Sequence, residues 1–292
     1  MTNYCNIPTN TQESHKLYTS VEWKSEQYFD EVVKFLKEKN IKSFIDIGGC
    51  TGEVSNIILN NVPSIEYGLI FEPHPINYEY TKENVKSDKV VIENKAVFYG
   101  KDFLDLSVRN PNIGSWSFLY SEKYPENSIR VQCVNIDDYL NEKEYDFVKI
   151  DIEGAEFNLI ENSKLLKTVK FIEIEVHHEH FDTYKNENDH LSEYKYSEGN
   201  IIDYIFKQFP NHELHYYLSG ESEIQKKNPG NMFLCLNDIW KWLEIVYLTL
   251  MENCKISIVI PAYIKDSSQI IFLENALFCY SKMMNNYQKA HI

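Results

Sequence analysis

The feature that most constrains the fold is a short apolar run that ends in glycines and precedes a helical pattern. Residues 43–47 read Ser-Phe-Ile-Asp-Ile, and glycines follow at positions 48, 49 and 52. A run of this length without polar alternation is typical of a buried parallel strand. Glycines let the backbone turn sharply beside a ligand, and the next helix offers free N–H groups at its start. The pattern therefore predicts a strand, a ligand-binding loop and a helix.

Strand-like and helix-like segments then alternate along most of the chain, which predicts an α/β fold with a Rossmann-like doubly wound sheet. The sheet is expected to be mostly parallel, with an antiparallel closing strand. Residues 99–128 are rich in Gly, Pro, Asn and Ser, and we expect an irregular insertion with a short hairpin there. Strands are predicted at 43–47, 67–71, 90–93, 130–134, 147–151, 171–176, 215–218 and 232–236, and helices at 25–39, 54–61, 77–85, 156–166 and 201–209.

Composition excludes several classes of protein. The formal net charge is −15, which disfavours a phosphate backbone as the main partner, so no nucleic-acid partner is expected. No two cysteines have the C-x-x-C spacing of a zinc or redox site. No apolar stretch reaches the roughly 20 residues of a membrane span, and the first residues lack the pattern of a signal peptide. We therefore expect a cytoplasmic protein with no membrane span.

Candidate ligand-binding residues stand at the ends of the first three predicted strands. The glycines are spaced G-G-x-x-G and not G-x-G-x-x-G, which argues against an NAD site. Glu72 closes the second strand, where a carboxylate can accept two hydrogen bonds from a ribose diol. The backbone at Asn94 and Ala96 follows the third strand and would border an adenine ring. These residues are predicted to face the same edge of one sheet.

Carboxylates and a histidine follow the next two strands. Asp151 and Glu153 lie where a strand meets a helix, and such acids can hold an amino group, bind a metal or act as a base. Glu156 is assigned to the favourable charge at a helix start. His177 follows the next strand and is the candidate general base for a hydroxyl group. A divalent metal at this His- and Glu-rich segment is a second, less favoured interpretation, so no metal ligand is predicted.

With these sites in order, the chain resembles the FkbM family of methyltransferases. The family's usual first loop has Ala-Asn where this chain has Gly49-Cys50. The matching segments are Asp46–Gly52, Glu72-Pro73, Asn94–Ala96, Ser115–Ser117, Val134–Asp137, Lys149–Glu156 and Glu175–His177.

The resemblance implies that S-adenosylmethionine is the cofactor and that a hydroxyl group, often of a sugar in a glycan, is methylated. Carried over by position, Asp151, Glu153 and His177 would face the transferring methyl group and its acceptor. From the composition and position of residues 99–128, Trp116 and Tyr120 are expected to form part of a lid or a stacking surface for a sugar. A natural-product or amine methyltransferase and an inactive scaffolding module remain alternatives. The residues implied to hold the cofactor are Asp46, Gly48, Gly49, Gly52, Glu72, Asn94, Ala96 and Asp151.

The end of the chain has its own resemblance. Residues 256–263 read Ile-Ser-Ile-Val-Ile-Pro-Ala-Tyr, which is similar to the first strand of a family 2 (GT-A) glycosyltransferase. The predicted organisation is an irregular segment at 1–24, a methyltransferase domain at 25–250 and a partial glycosyltransferase-like segment at 251–292. A fused or neighbouring glycosyltransferase is the protein partner that this resemblance implies.

Overall fold

A computed structural model describes residues 22–108, 117–119, 127–177, 180–181, 184, 188, 201–218 and 231–236, which all belong to one unit that ends at Asn237. The expected lid residues and the segment at 251–292 lie outside these described residues. No helix in the described part is long and apolar enough to cross a membrane.

The described elements alternate as the sequence predicts, and the α/β fold is confirmed. Within the described residues, one 3₁₀ turn spans Leu166–Thr168. The helices are α1 Glu22–Glu38, α2 Glu53–Asn61, α3 Pro75–Asn84, α4 Ile136–Glu142, α5 Glu156–Asn162 and α6 Ile201–Gln208. The strands are β1 Ser43–Ile47, β2 Tyr67–Phe71, β3 Val90–Glu93, β4 Ala96–Val97, β5 Phe103–Val108, β6 Ser117–Phe118, β7 Ser128–Val134, β8 Phe147–Ile150, β9 Phe171–Glu175, β10 His212–Leu218 and β11 Asn231–Leu236.

Seven strands of the described part of the chain form the main sheet, in the order β10-β11-β9-β8-β1-β2-β3. The strands from β9 to β3 are parallel, while β11 is antiparallel to both β9 and β10. The mostly parallel sheet with an antiparallel closing pair is therefore confirmed. Because β1 lies between β8 and β2, the loops that follow these three strands meet at one edge of the sheet.

Each face of the main sheet is covered by helices, since side chains alternate between the two sides of a strand. In β1, Phe44 packs on the face covered by α1 and α2, whereas Ile45 and Ile47 pack on the face covered by α5 and α6. All three side chains are almost fully buried. This two-sided burial explains why the parallel strands are continuous apolar runs in the sequence.

A second, four-stranded sheet has the order β4-β7-β5-β6. The short hairpin expected within residues 99–128 is present as the antiparallel pair of β5 and β6. The expected irregularity does not hold for β5, because β5 also pairs with β7 along most of its length, which makes β5 part of a regular sheet. Its alternating side chains build a separate small core with Val131 and Cys133, which a local sequence pattern does not reveal.

The predicted helix at 156–166 is also too long. It ends at Asn162, and Ser163 has an extended backbone. Asp137 accepts hydrogen bonds from the Ser163 hydroxyl and from the N–H groups of Lys164 and Leu165. These bonds replace the helical hydrogen bonds that the sequence pattern predicts.

Candidate active site

The loop after β1 is held against the ends of two neighbouring strands. The N–H groups of Gly48 and Gly49 both donate to the carbonyl of Phe71 at 2.9 Å. Gly48 has a φ of +92°, and a Cβ at this position would lie 1.8 Å from the carbonyl oxygen of Asp151. Only glycine lets the loops after β1 and β8 approach so closely.

Glu72, at the end of β2, binds the same loop through its side chain. Its carboxylate accepts the N–H of Cys50 at 2.7 Å and the N–H of His74 at 2.8 Å. Burial raises the pKa of Glu72 to about 8, although the two backbone hydrogen bonds oppose this shift. The structure thus places a nearly buried carboxylate where the sequence predicts a ribose-binding acid.

Asn94 has a different place from the one predicted. Its amide donates to the carbonyls of Glu72 and Pro73 at 2.8 and 3.0 Å, and it is not among the residues that line the cavity at the carboxyl ends of β1, β2 and β8. Asn94 therefore holds the loop after β3 against the loop after β2. Ala96 does line the cavity.

Asp46 lies beneath the loop and does not line the cavity. It is fully buried, accepts the Ser55 hydroxyl at 2.6 Å, and has its other oxygen 3.8 Å from the amine of Lys149. Burial raises the pKa of Asp46, with Lys149 and Ser55 opposing the shift. Lys149 also donates to Asp151 at 3.0 Å. Asp46 therefore supports the loop from below through a buried ion pair.

Gly49 and Gly52 are likewise close to the cavity without lining it. A Cβ at Gly52 would lie 2.5 Å from the Val85 side chain, and a Cβ at Gly49 would lie 2.3 Å from that of Ile70. Both glycines permit close packing of the loop, and Gly48 is the glycine that the cavity meets.

The cavity lies at the carboxyl ends of β1, β2 and β8 and encloses about 750 Å³, part of it open to solvent. Its polar groups include Glu72, Asp151 and Glu153. Its apolar wall comes partly from the small sheet, which sequence reasoning missed, although the alternation in β5 places Leu104 and Leu106 on one face. The lining residues are Ile47, Gly48, Cys50, Phe71, Glu72, Pro73, Asn77, Lys95, Ala96, Val97, Leu104, Leu106, Asp151, Ile152, Glu153 and Ala155.

Asp151, Glu153 and His177 come together as the sequence predicts. Nε2 of His177 lies 3.2 Å from Oε2 of Glu153 and 4.0 Å from Oδ1 of Asp151. Burial, together with neighbouring carboxylates, raises the pKa of Glu153 to about 8, against the opposing effect of His177. The three side chains form one cluster at the edge of the cavity.

The geometry does not fit His177 as the general base. Its side chain is 6% exposed, is not among the lining residues, and has a carboxylate facing each ring nitrogen. Burial opposes the charge of the ring, but Glu156 and Glu153 together raise its pKa well above the ordinary value. A buried imidazole that faces two carboxylates and does not line the cavity is not placed to take a proton from an acceptor.

Glu156 is the residue of the site that the sequence interpretation missed. It is fully buried, and its two oxygens accept the N–H of Gly154 at 2.9 Å and the N–H of His177 at 2.7 Å. It therefore joins the loops after β8 and β9. Its place in the acid-rich segment that follows β8 could have indicated a role in the site. An acidic residue at the start of a helix is also common without any such role.

Several solved structures share similarity with this chain. The methyltransferase FkbM from Methylobacillus flagellatus KT is 14% identical, with 67% of this chain and 44% of that chain covered and a TM-score of 0.42. Trm1 from Pyrococcus horikoshii, solved with S-adenosyl-L-methionine, is 14% identical, with 70% and 53% covered and a TM-score of 0.41. The plantazolicin methyltransferase BpumL is 13% identical, with 77% and 89% covered and a TM-score of 0.40.

The chain spans about half the length of the first two of these structures. No curated protein sequence matches it. The model of the Methyltransferase FkbM domain matches residues 46–208, which is more than half of the 292 residues and includes the loop after β1, Glu72 and the whole acidic cluster. The chain therefore belongs to the FkbM methyltransferase family.

Proposed function

We propose that this chain is an S-adenosylmethionine-dependent O-methyltransferase whose acceptor is a hydroxyl group of a sugar in a glycan or glycoconjugate. One observation carries the proposal. The cavity at the strand ends has Glu72 on one side of β1 and two carboxylates, Asp151 and Glu153, on the other. An apolar wall from the small sheet completes it.

The lining residues fit the chemical groups of this cofactor. Glu72 keeps its carboxylate at the cavity, where it can accept the hydroxyl groups of a ribose. Ala96 and Val97 offer an apolar surface for an adenine ring. Asp151 and Glu153 bring negative charge for an ammonium group, and Gly48 lines the cavity beside them.

When bound, S-adenosylmethionine supplies a methyl group that its sulfonium charge already activates. The chain then has to hold the acceptor oxygen in line and exclude water, and such alignment contributes on the order of 7–11 kcal/mol in favourable cases. We assign the hydroxyl proton to Asp151 or Glu153 by position, because both line the cavity and His177 does not. Proton acceptance by a positioned side chain accelerates a reaction by roughly 10²–10⁴-fold.

An amine acceptor is the second candidate, favoured by the same carboxylates. A cationic or neutral amine would meet a negatively charged cluster at the cavity edge, whereas a sugar phosphate or uronic acid would be repelled. The structure thus favours acceptors without negative charge beside the reacting atom.

Ligand binding tests the cofactor assignment. The protein is titrated with S-adenosylmethionine and with S-adenosylhomocysteine, and its thermal unfolding is followed. A ligand at 100 times its Kd stabilises the folded state by about 2.7 kcal/mol, so a concentration-dependent rise in Tm is expected for both. ATP serves as the control nucleotide. If the folded protein shows no change in Tm with either methionine derivative, the assignment of S-adenosylmethionine as the cofactor is rejected.

Product analysis tests the acceptor. The protein is incubated with methyl-labelled S-adenosylmethionine and with matched sets of glycosides, natural-product phenols and amines. Label in a glycoside, present as a base-stable O-methyl ether and not as an N-methyl group, is the expected result. Label confined to amines would replace the sugar assignment by the second candidate.

A further inference from the structure

Three side chains that are typical metal ligands lie together beside the cavity. One ligand atom each from Asp151, Glu153 and His177 lies within 4.8 Å of the other two. Ligands of a small divalent cation are roughly 3 Å apart when each metal–oxygen distance is about 2.0–2.1 Å in an octahedral site. The distance of 3.2 Å between Glu153 and His177 already meets this requirement. Oδ1 of Asp151 lies 4.0 Å from the same nitrogen of His177, Nε2, about 1 Å beyond this spacing.

The orientation of His177 is a second observation that points to a bound ion. The imidazole is more than nine-tenths buried, and its Nε2 faces the two carboxylates. Its Nδ1 lies 3.3 Å from Oε1 of Glu156 but has no hydrogen bond among the described residues. Histidines that bind metals commonly have a carboxylate behind the other ring nitrogen, which fixes the orientation of the ring.

Carboxyl groups outnumber basic side chains around the cluster in the described structure. Lys149 contacts Asp46 and Asp151, while Glu153 and Glu156 both face His177. Four carboxylates therefore share two positively charged partners, even when the imidazole carries a proton. Buried charge of one sign is costly unless it is compensated, and a divalent cation would compensate it.

We propose that Asp151, Glu153 and His177 bind one divalent cation of the manganese or magnesium type at the edge of the cavity. Glu156 is a positioning residue that orients His177. Because two of the ligands line the cavity, the free positions of the ion face it. There the ion would hold the acceptor hydroxyl, a role that rests on the proposed function, whereas ion binding itself does not.

Manganese binding to the full chain, after treatment with a chelator, tests the site directly. Free Mn²⁺ is measured by electron paramagnetic resonance during a titration with manganese chloride. One ion per chain is expected. Glu153→Gln should weaken binding at least tenfold, and Glu156→Gln about 10–100-fold, as is usual for a residue behind a metal ligand. Glu79→Gln, which changes an exposed carboxylate on α3, should leave binding unchanged.

A measurement on the unaltered protein avoids any loss of folding in the variants. Pulsed electron paramagnetic resonance of the bound Mn²⁺ should show coupling to the nitrogen of one imidazole, and His177→Ala should remove it. Absence of this coupling, or absence of bound Mn²⁺ up to about 1 mM, would overturn the proposal. So would unchanged affinity in Glu153→Gln.

The same chelator-treated protein is titrated with S-adenosylmethionine. If the cofactor binds and Mn²⁺ does not, the cation site is rejected and the proposed function stands. If Mn²⁺ binds and the cofactor does not, the cation site stands, while the proposed function and the role of the ion toward the acceptor are rejected.

Discussion

The carboxylate of Glu72 accepts the backbone N–H of Cys50 at 2.7 Å and so ties the loop after β1 to the end of β2. The same carboxylate accepts the N–H of His74 and lines the cavity. One buried side chain therefore shapes the loop and faces the space assigned to the cofactor.

Glu72→Gln should weaken the binding of S-adenosylmethionine at least tenfold. The amide keeps one acceptor oxygen, but its NH₂ group opposes a backbone N–H and removes an acceptor from the ribose. A buried donor left without its acceptor costs about 1–3 kcal/mol. Isothermal titration measures the change. Glu93→Gln is the matched control, because Glu93 ends the adjacent strand β3 without lining the cavity. Equal affinity in the two variants would reject the cofactor role of Glu72.

Gly48→Ala should unfold the site, whereas Gly100→Ala should not. Both glycines have positive φ, at +92° and +85°, so both substitutions cost about 1–2 kcal/mol in backbone strain. Only at Gly48 would the new Cβ meet a backbone atom, the carbonyl oxygen of Asp151 at 1.8 Å, while Gly100 has nothing within 4 Å. Urea denaturation should show a loss of about 3 kcal/mol or more for Gly48→Ala, together with loss of cofactor binding. A similar loss of stability in both variants would show that backbone strain, and not the contact with Asp151, causes the loss.

The main sheet could be predicted from sequence because its signals are local. In β1, β2 and β3 the observed bounds equal the predicted ones, since each apolar run is flanked by turn residues. The convergence of Asp151, Glu153 and His177 followed from one rule, that parallel strands end at a common edge.

The remaining features depend on contacts that no local window contains. Asp46 was assigned to the cofactor, but its place beneath the loop is determined by Lys149, more than one hundred positions later. The small sheet requires β5 to pair with β7. Glu156 joins two loops because its carboxylate accepts the N–H of Gly154 from one and the N–H of His177 from the other. From sequence alone, its position at a helix start already explains its charge.

Leu106→Ala should weaken cofactor binding about tenfold, and Val108→Ala should not. Both side chains are buried on the same face of β5, but only Leu106 lines the cavity. Loss of buried methyl groups destabilises both variants, by about 2–5 kcal/mol for a leucine. Titration at a temperature where both variants are folded separates the two effects. If the loss of cofactor affinity in both variants is proportional to their loss of stability, Leu106 does not form part of the cofactor-binding wall.

Glu173→Gln should stabilise the protein at alkaline pH. Burial raises the pKa of Glu173 to about 8, against the opposing effects of Lys149 and of the hydrogen bond from Asn231. A carboxyl with a raised pKa binds its proton more tightly in the folded state, so its stabilising effect is present below the ordinary value of 4.5 and is lost as the pH rises through about 8. The free energy of unfolding changes by at most about 1.4 kcal/mol per pH unit through the titration of one such group.

Urea denaturation of the wild type between about pH 5 and pH 9 should therefore show a free energy of unfolding that falls as the pH rises. The free energy of unfolding of Glu173→Gln should fall less over the same range. Glu142→Gln, at an exposed carboxylate, is the control. Parallel curves for wild type and Glu173→Gln would mean that Glu173 is not the titrating group.

Asp137→Asn should destabilise the protein at neutral pH and lose this effect in acid. Burial raises the pKa of Asp137, but hydrogen bonds from Ser163, Lys164, Tyr99 and Leu165 outweigh it and lower the pKa below the ordinary value of 3.8. The ionised carboxylate therefore stabilises the fold above pH 3.8, and this contribution disappears as the pH falls through the lowered pKa. The amide leaves a buried donor without an acceptor, at a cost of about 1–3 kcal/mol.

Denaturation at neutral pH and again near pH 3, below the ordinary pKa of the group, should show a gap between wild type and Asp137→Asn that narrows in acid. Asp138→Asn is the matched control, because this neighbour lies in the same first turn of α4 and is exposed. Since Asp137 ends α5 by taking over its hydrogen bonds, the variant should also increase amide exchange at Lys164 and Leu165. Unchanged exchange at these two positions would show that the turn after α5 is stable without the carboxylate.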